Sequence, residues 1–139
     1  MCFDQGPKQS EVIFVFRRTF IAGVALATLT ATSAASEEKM TAAEILALLN
    51  GNTIIGSWSG TAYRSYYGDG GLTIYAPEGG QPERGRWRVN EETDQYESWW
   101  EHSGWTPYSV VRTDDGGYAW LHSGELQPFS VLEGRQISF

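Results

Sequence analysis

Residues 53–90, TIIGSWSGTAYRSYYGDGGLTIYAPEGGQPERGRWRVN, carry no helical period. Runs of β-branched and aromatic residues are cut by Gly, Asp and Pro, which is the pattern of short strands joined by tight turns. Arg86-Trp87-Arg88-Val89 alternates cleanly, putting Trp87 and Val89 on one face of a strand and the arginines on the other. Gly68-Asp69-Gly70-Gly71 and Pro77-Glu78-Gly79-Gly80 supply the residues that turns require.

The same pattern continues to the C-terminus. Candidate strands are Thr53–Ser59, Ala62–Tyr67, Leu72–Ala76, Gly85–Asn90, Gln95–Glu101, Tyr108–Thr113, Tyr118–His122 and Phe129–Leu132, with Gln136–Phe139 a candidate for one more. Strands joined in sequence by short turns predict an antiparallel meander. Closing the meander into a small barrel removes its exposed edges; a sandwich is the competing arrangement. Upstream, Thr41-Ala42-Ala43-Glu44 forms a capping box and Ile45, Leu48 and Leu49 form an apolar stripe. Asn50-Gly51 ends this helix of about residues 41–50. The expected fold is mainly β, a meander barrel with one short N-terminal helix. Ser36 to Met40, a charged leader, is expected to be mobile.

Residues 16–36, FRRTFIAGVALATLTATSAAS, read as an export signal: a basic Arg17-Arg18 pair, an apolar run and small residues at Ser33-Ala34-Ala35. The uncharged run from Thr19 to Thr32 is shorter than the roughly 20 residues a spanning helix needs. Arg17-Arg18-Thr19-Phe20-Ile21 resembles the twin-arginine motif. The expectation is that residues 1–35 are a removed signal and 36–139 a single periplasmic or secreted domain without a stable membrane anchor. Asp4 and Glu11 fit a signal poorly and point to a start codon assigned too far upstream.

Composition narrows the functions. Cys2 is the single cysteine, so the domain after the signal has no disulfide, cysteine zinc site or iron–sulfur cluster. The net charge of −7 argues against nucleic acid as a partner. All six Trp and seven Tyr follow the signal, a density that suits a ring-packed core or a surface gripping a flat ligand.

Signs of catalysis are sparse. His102 and His122 stand 20 positions apart without the short spacing of a metal-binding pair. No serine occupies Gly-x-Ser-x-Gly, and no glycine-rich phosphate loop opens a helix. Asp69 is a turn-former rather than a calcium ligand. The expectation is no catalytic residue, no metal and no cofactor.

Two resemblances follow from these motifs. Gly56-Ser57-Trp58 after a short helix, with Arg135 near the C-terminus, resembles the calycin group of lipocalin and avidin barrels. That resemblance implies a lipocalin-like barrel in which the late arginine packs over the first-strand tryptophan. The helix with Gly51-Asn52-Thr53, then Tyr66-Tyr67-Gly68-Asp69-Gly70 and Gly85-Arg86-Trp87, resembles a family of small secreted proteobacterial proteins of unknown function. It implies architecture and compartment only, and the cysteine pair common in its later strands is missing here. Together these readings lead to an exported, non-enzymatic barrel binding a small apolar or aromatic ligand. Its expected lining is Trp58, Tyr66, Trp87, Trp99 and Trp120, with Arg64 or Arg86 as an anchor. An envelope protein-interaction module or inhibitor with an exposed aromatic patch is the alternative.

Overall fold

The structure, a computed structural model, describes residues 37–137; the expected signal over 1–35 lies outside the described residues. The chain runs β1 (Glu38–Lys39), α1 (Ala42–Leu49), β2 (Thr53–Trp58), β3 (Thr61–Tyr67), β4 (Leu72–Pro77) and β5 (Glu83–Asn90). It continues through β6 (Gln95–Trp100), β7 (Gly104–Arg112), β8 (Tyr118–His122) and β9 (Glu125–Leu132). Each strand from β2 to β9 pairs antiparallel with its sequence neighbour, and β9 returns to β2 through Thr53↔Leu132 to Gly56↔Phe129. This is a closed eight-stranded up-and-down barrel with one short helix. The continuous ladder excludes a sandwich.

Two prolines explain where sequence and structure differ. β7 begins at Gly104 rather than Tyr108, and β9 at Glu125 rather than Phe129. Pro107 and Pro128 fall within these added residues. Pairing of β7 with β8 starts only at Ser109, and pairing of β9 with β2 stops at Phe129. Each proline therefore lies where its strand has one paired neighbour, a position that tolerates a missing N–H. Glu38–Lys39, expected to be mobile, pairs with Val111–Arg112 and delivers Met40, 2% exposed, into the core. Gln136 and Ile137 form no strand. Side chains pin that tail instead: Thr53 Oγ1 donates to the Gly134 carbonyl at 2.8 Å and accepts from the Gln136 N–H at 2.9 Å.

The helix forms as its capping box dictates. Thr41 Oγ1 accepts from the Glu44 N–H, and Glu44 accepts from the Thr41 N–H at 2.8 Å. Those bonds, the Thr41 N–H first and then Arg112 at 3.0 Å, hold the Glu44 carboxyl below its usual range. The Ala42 N–H donates to Asp94 of the β5–β6 turn at 2.8 Å. At the other end Gly51 adopts φ +78° and donates to the Tyr67 carbonyl at 2.7 Å. The helix thus lies across one end of the barrel, with Ile45 and Leu49 fully buried against Ile54, Tyr67 and Trp87. No helix among the described residues is long and apolar enough to cross a membrane.

Two inward positions have no side chain, and a ring occupies each gap. A Cβ on Gly85 would stand 2.5 Å from the Trp99 carbonyl and 2.7 Å from the Trp100 ring. One on Gly56 would stand 3.1 Å from the Tyr63 hydroxyl and the Pro128 carbonyl. Gly85→Ala is therefore expected to destabilise the barrel by about 1–3 kcal/mol, since backbone cannot yield as a side-chain tip can. Urea denaturation checks this; an unchanged midpoint would contradict the close approach.

Candidate functional site

Strand alternation sends every second residue into the barrel, and the register decides which. The hairpin joining Asn90 to Gln95 sets Val89 opposite Tyr96, Trp87 opposite Ser98 and Arg86 opposite Trp99. Tyr96, Ser98 and Trp100 thus share the interior with Trp87, while Trp99 joins the arginines outside. On β3, Tyr63, Ser65 and Tyr67 face in. Their partners on β2 and β4 are Gly56, Ile54 and Tyr75 or Thr73.

The interior rings form a layered stack above the helix. Tyr67 stands edge-on to Trp87 and Tyr96, both centroids 5.6 Å away. Trp120 lies 4.9 Å from Tyr96 and 4.5 Å from Phe129, and its indole N–H donates to the Tyr63 hydroxyl at 2.9 Å. Trp87 sits lowest, 5% exposed, and donates to the Gly68 carbonyl at 3.0 Å. Above this floor the interior opens into a pocket of about 310 Å³ at the end opposite the helix. Half-buried Trp58, Tyr75, Trp100 and Tyr108 surround it, and Glu83, His102 and Ser103 stand at its mouth. Ser98 Oγ accepts from the Trp100 indole N–H at 3.2 Å. No lysine or arginine lines the pocket among the described residues.

Apart from Glu83 and His102 at its mouth, the ionisable groups of the site are tyrosines. Burial pushes the Tyr63 phenol up to about 12, against the hydrogen bond from Trp120, which lowers it. Burial also pushes Tyr67, Tyr96 and Tyr108 up. Such phenols stay neutral at neutral pH. No group of three or more His, Cys, Asp or Glu among the described residues could hold a metal ion. A wider, more open depression borders Ile55, Arg64, Ala76, Asp115 and Ser130. Two of its three charged residues are already engaged, Arg64 donating to the Gln136 carbonyl at 2.8 Å and Asp115 accepting from Thr113 and from the Gly117 N–H, and Glu78 is the third. The interior pocket is the better-defined site.

Of the seven residues the sequence singled out, the register brings only Trp58 and Trp120 to this pocket. Trp87 faces inward but lies beneath it. Arg64, Tyr66, Arg86 and Trp99 are on the outer wall, so neither arginine anchors a ligand inside. The Arg86 guanidinium lies 4.4 Å over the Trp99 ring. Arg135 lies 5.4 Å over Tyr66, whereas Trp58 is at the mouth with Tyr108, so the floor-sealing arginine pair implied by the calycin resemblance is not reproduced. Tyr63, Tyr75, Trp100, Tyr108 and Glu83 line the pocket without being among the expected lining residues. The hairpin from Asn90 to Gln95 was the signal that would have found Trp100.

No family model, curated protein or solved structure matches the chain. What stands of the expected resemblances is the architecture alone, an eight-stranded antiparallel barrel.

The buried phenols make alkaline stability a direct probe of this interior. Tyr63 ionises near 10 when unfolded and near 12 when folded. Its contribution is fully present below pH 10 and is lost as pH rises towards 12. The prediction is that tyrosinate absorbance from the interior phenols rises together with loss of near-ultraviolet circular dichroism. Ionisation of these phenols near pH 10 in the folded protein would contradict their burial.

Proposed function

We propose that the protein is an exported, non-enzymatic binding module whose barrel takes up a small apolar or aromatic molecule through the end opposite the helix. The observation that carries this reading is the ring-lined pocket of about 310 Å³ above a closed aromatic floor. A concave, mostly apolar hollow with a few polar groups is the usual form of a small-molecule site. An eight-stranded barrel has an interior just wide enough to hold one such ligand. The export signal expected over residues 1–35 from the sequence would place the protein in the periplasm or outside the cell.

An interaction module would need bare rings on the outer wall. There the guanidinium of Arg86 stacks on Trp99 and that of Arg88 on Trp105 at 3.9 Å, with Trp105 still 38% exposed. A guanidinium thus takes one face of each of these rings, which favours the interior as the place where a ligand meets an aromatic surface.

Titration of the purified protein with a panel of small aromatic and apolar compounds tests the proposal, read by tryptophan fluorescence and native mass spectrometry. At least one compound is expected to bind in a one-to-one ratio. Trp58→Ala should weaken it about tenfold, the loss expected from one ring contact. Trp99→Ala, on the outer wall, should leave it unchanged. A panel that gives neither a fluorescence change nor a bound mass would overturn the reading.

A further inference from the structure

The chemistry of the pocket narrows what it would hold. Tyr75 and Trp100 meet at 70° with centroids 6.1 Å apart, and Trp58 and Tyr108 at 78° and 5.8 Å. Rings set nearly at right angles make the walls of a box, whereas a slot for a planar ligand needs parallel faces. The face of each ring carries the negative lobe of its quadrupole, which attracts a cation.

The charges point the same way. Glu83, the first residue of β5, pairs with Tyr75 and stands at the mouth. Burial raises the Tyr75 phenol, and the negative charge of Glu83 raises it further, which places the carboxylate within electrostatic reach of that ring. The pocket has no lysine or arginine among its described lining residues. Strand parity puts Arg64, Arg84, Arg86 and Arg88 on the outer wall, where 86 and 88 are stacked on tryptophans. An anion entering here would shed its water for no positive partner and would meet a carboxylate. The chain's net charge of −7 adds a field that draws cations inward.

We infer that the ligand is an organic cation, a quaternary or protonated tertiary amine of modest size, boxed by Trp58, Tyr75, Trp100 and Tyr108 with Glu83 as its counter-charge. This rests on the interior pocket being the binding site. A compact onium fits four walls at right angles, and its weak hydration makes the transfer from water cheap compared with a primary ammonium. The hydroxyls of Ser65, Ser98 and Thr106 leave the interior polar without adding charge.

Isothermal titration of the full protein with three probes of similar shape tests this: phenyltrimethylammonium, its neutral carbon counterpart tert-butylbenzene, and the anion 4-tert-butylbenzoate. The cation should bind about tenfold or more tighter than the neutral compound, with the anion weakest. Glu83→Gln should remove most of that preference while leaving the neutral compound's affinity unchanged, and added salt should reduce the preference in the parent protein. Trp100→Leu should weaken cation and neutral probe together. Equal or tighter binding of the neutral or anionic probe would overturn the inference and leave the pocket standing. Binding of none of the three, together with an unresponsive apolar panel, would remove the pocket reading itself. A cation preference that survives Glu83→Gln intact would overturn the role given to Glu83.

Discussion

Bulky rings fit inside an eight-stranded wall only where the facing wall gives way. Gly85 gives way to Trp100 at a distance that leaves no room for a methyl group, and Gly56 to Tyr63 at 3.1 Å, where a methyl would push its neighbours back by a few tenths of an ångström. Eight strands enclose a fixed and narrow space, so the interior must alternate large with absent side chains. Here that alternation decides more than packing. Where the ring of Trp100 lies on Gly85, it becomes one wall of the pocket. Where Tyr63 lies across Gly56, its hydroxyl is delivered to the Trp120 indole and completes the floor. Without these two gaps the rings would have to leave the interior or the wall would have to open.

The helix and the N-terminal strand turn the open tube into a cup. Ile45, Leu49 and Met40 seal the end where β2 starts, and bonds from Ala42 to Asp94 and from Arg112 to Glu44 hold the seal in place. Among the described residues no helix lies across the opposite end, where the turns after β2, β4, β6 and β8 lie. The asymmetry follows from sequence: a capped apolar helix precedes the first barrel strand and can reach only the end where that strand begins. The outer wall carries arginines stacked on Trp99 and Trp105 and the Arg88–Glu97 ion pair, with Leu72 and Trp105 left exposed.

Much of this was legible in the residues, and the failures are instructive. The capping box, the glycine-rich turns and the alternation of 86–89 fix the helix, the hairpins and the meander, because each is a local signal. Pro107 and Pro128 mislead, since a proline marks a break only if both edges of its strand are paired, and pairing is a property of the closed barrel. The choice between Trp99 and Trp100, or Tyr66 and Tyr67, needs the register, because adjacent strand residues face opposite sides and a one-residue shift exchanges them. For β5 and β6 that register is set by the short turn after Asn90 and could be counted. The pocket arises from the meeting of eight strands, so Glu83, Tyr75 and Tyr108 carry no mark of their role in the linear sequence.

The account stands on closure of the barrel, and the seam between its first and last long strands is where closure shows. Measuring nuclear Overhauser contacts between the backbone protons of β2 and β9 is the most direct test. Closure predicts cross-strand contacts for Ile54 with Val131 and Gly56 with Phe129, alongside those for Gly56 with Tyr63 on the other side. Contacts from β2 to β3 alone, with none to β9, would mean an open sheet and would contradict both the cup and the site within it.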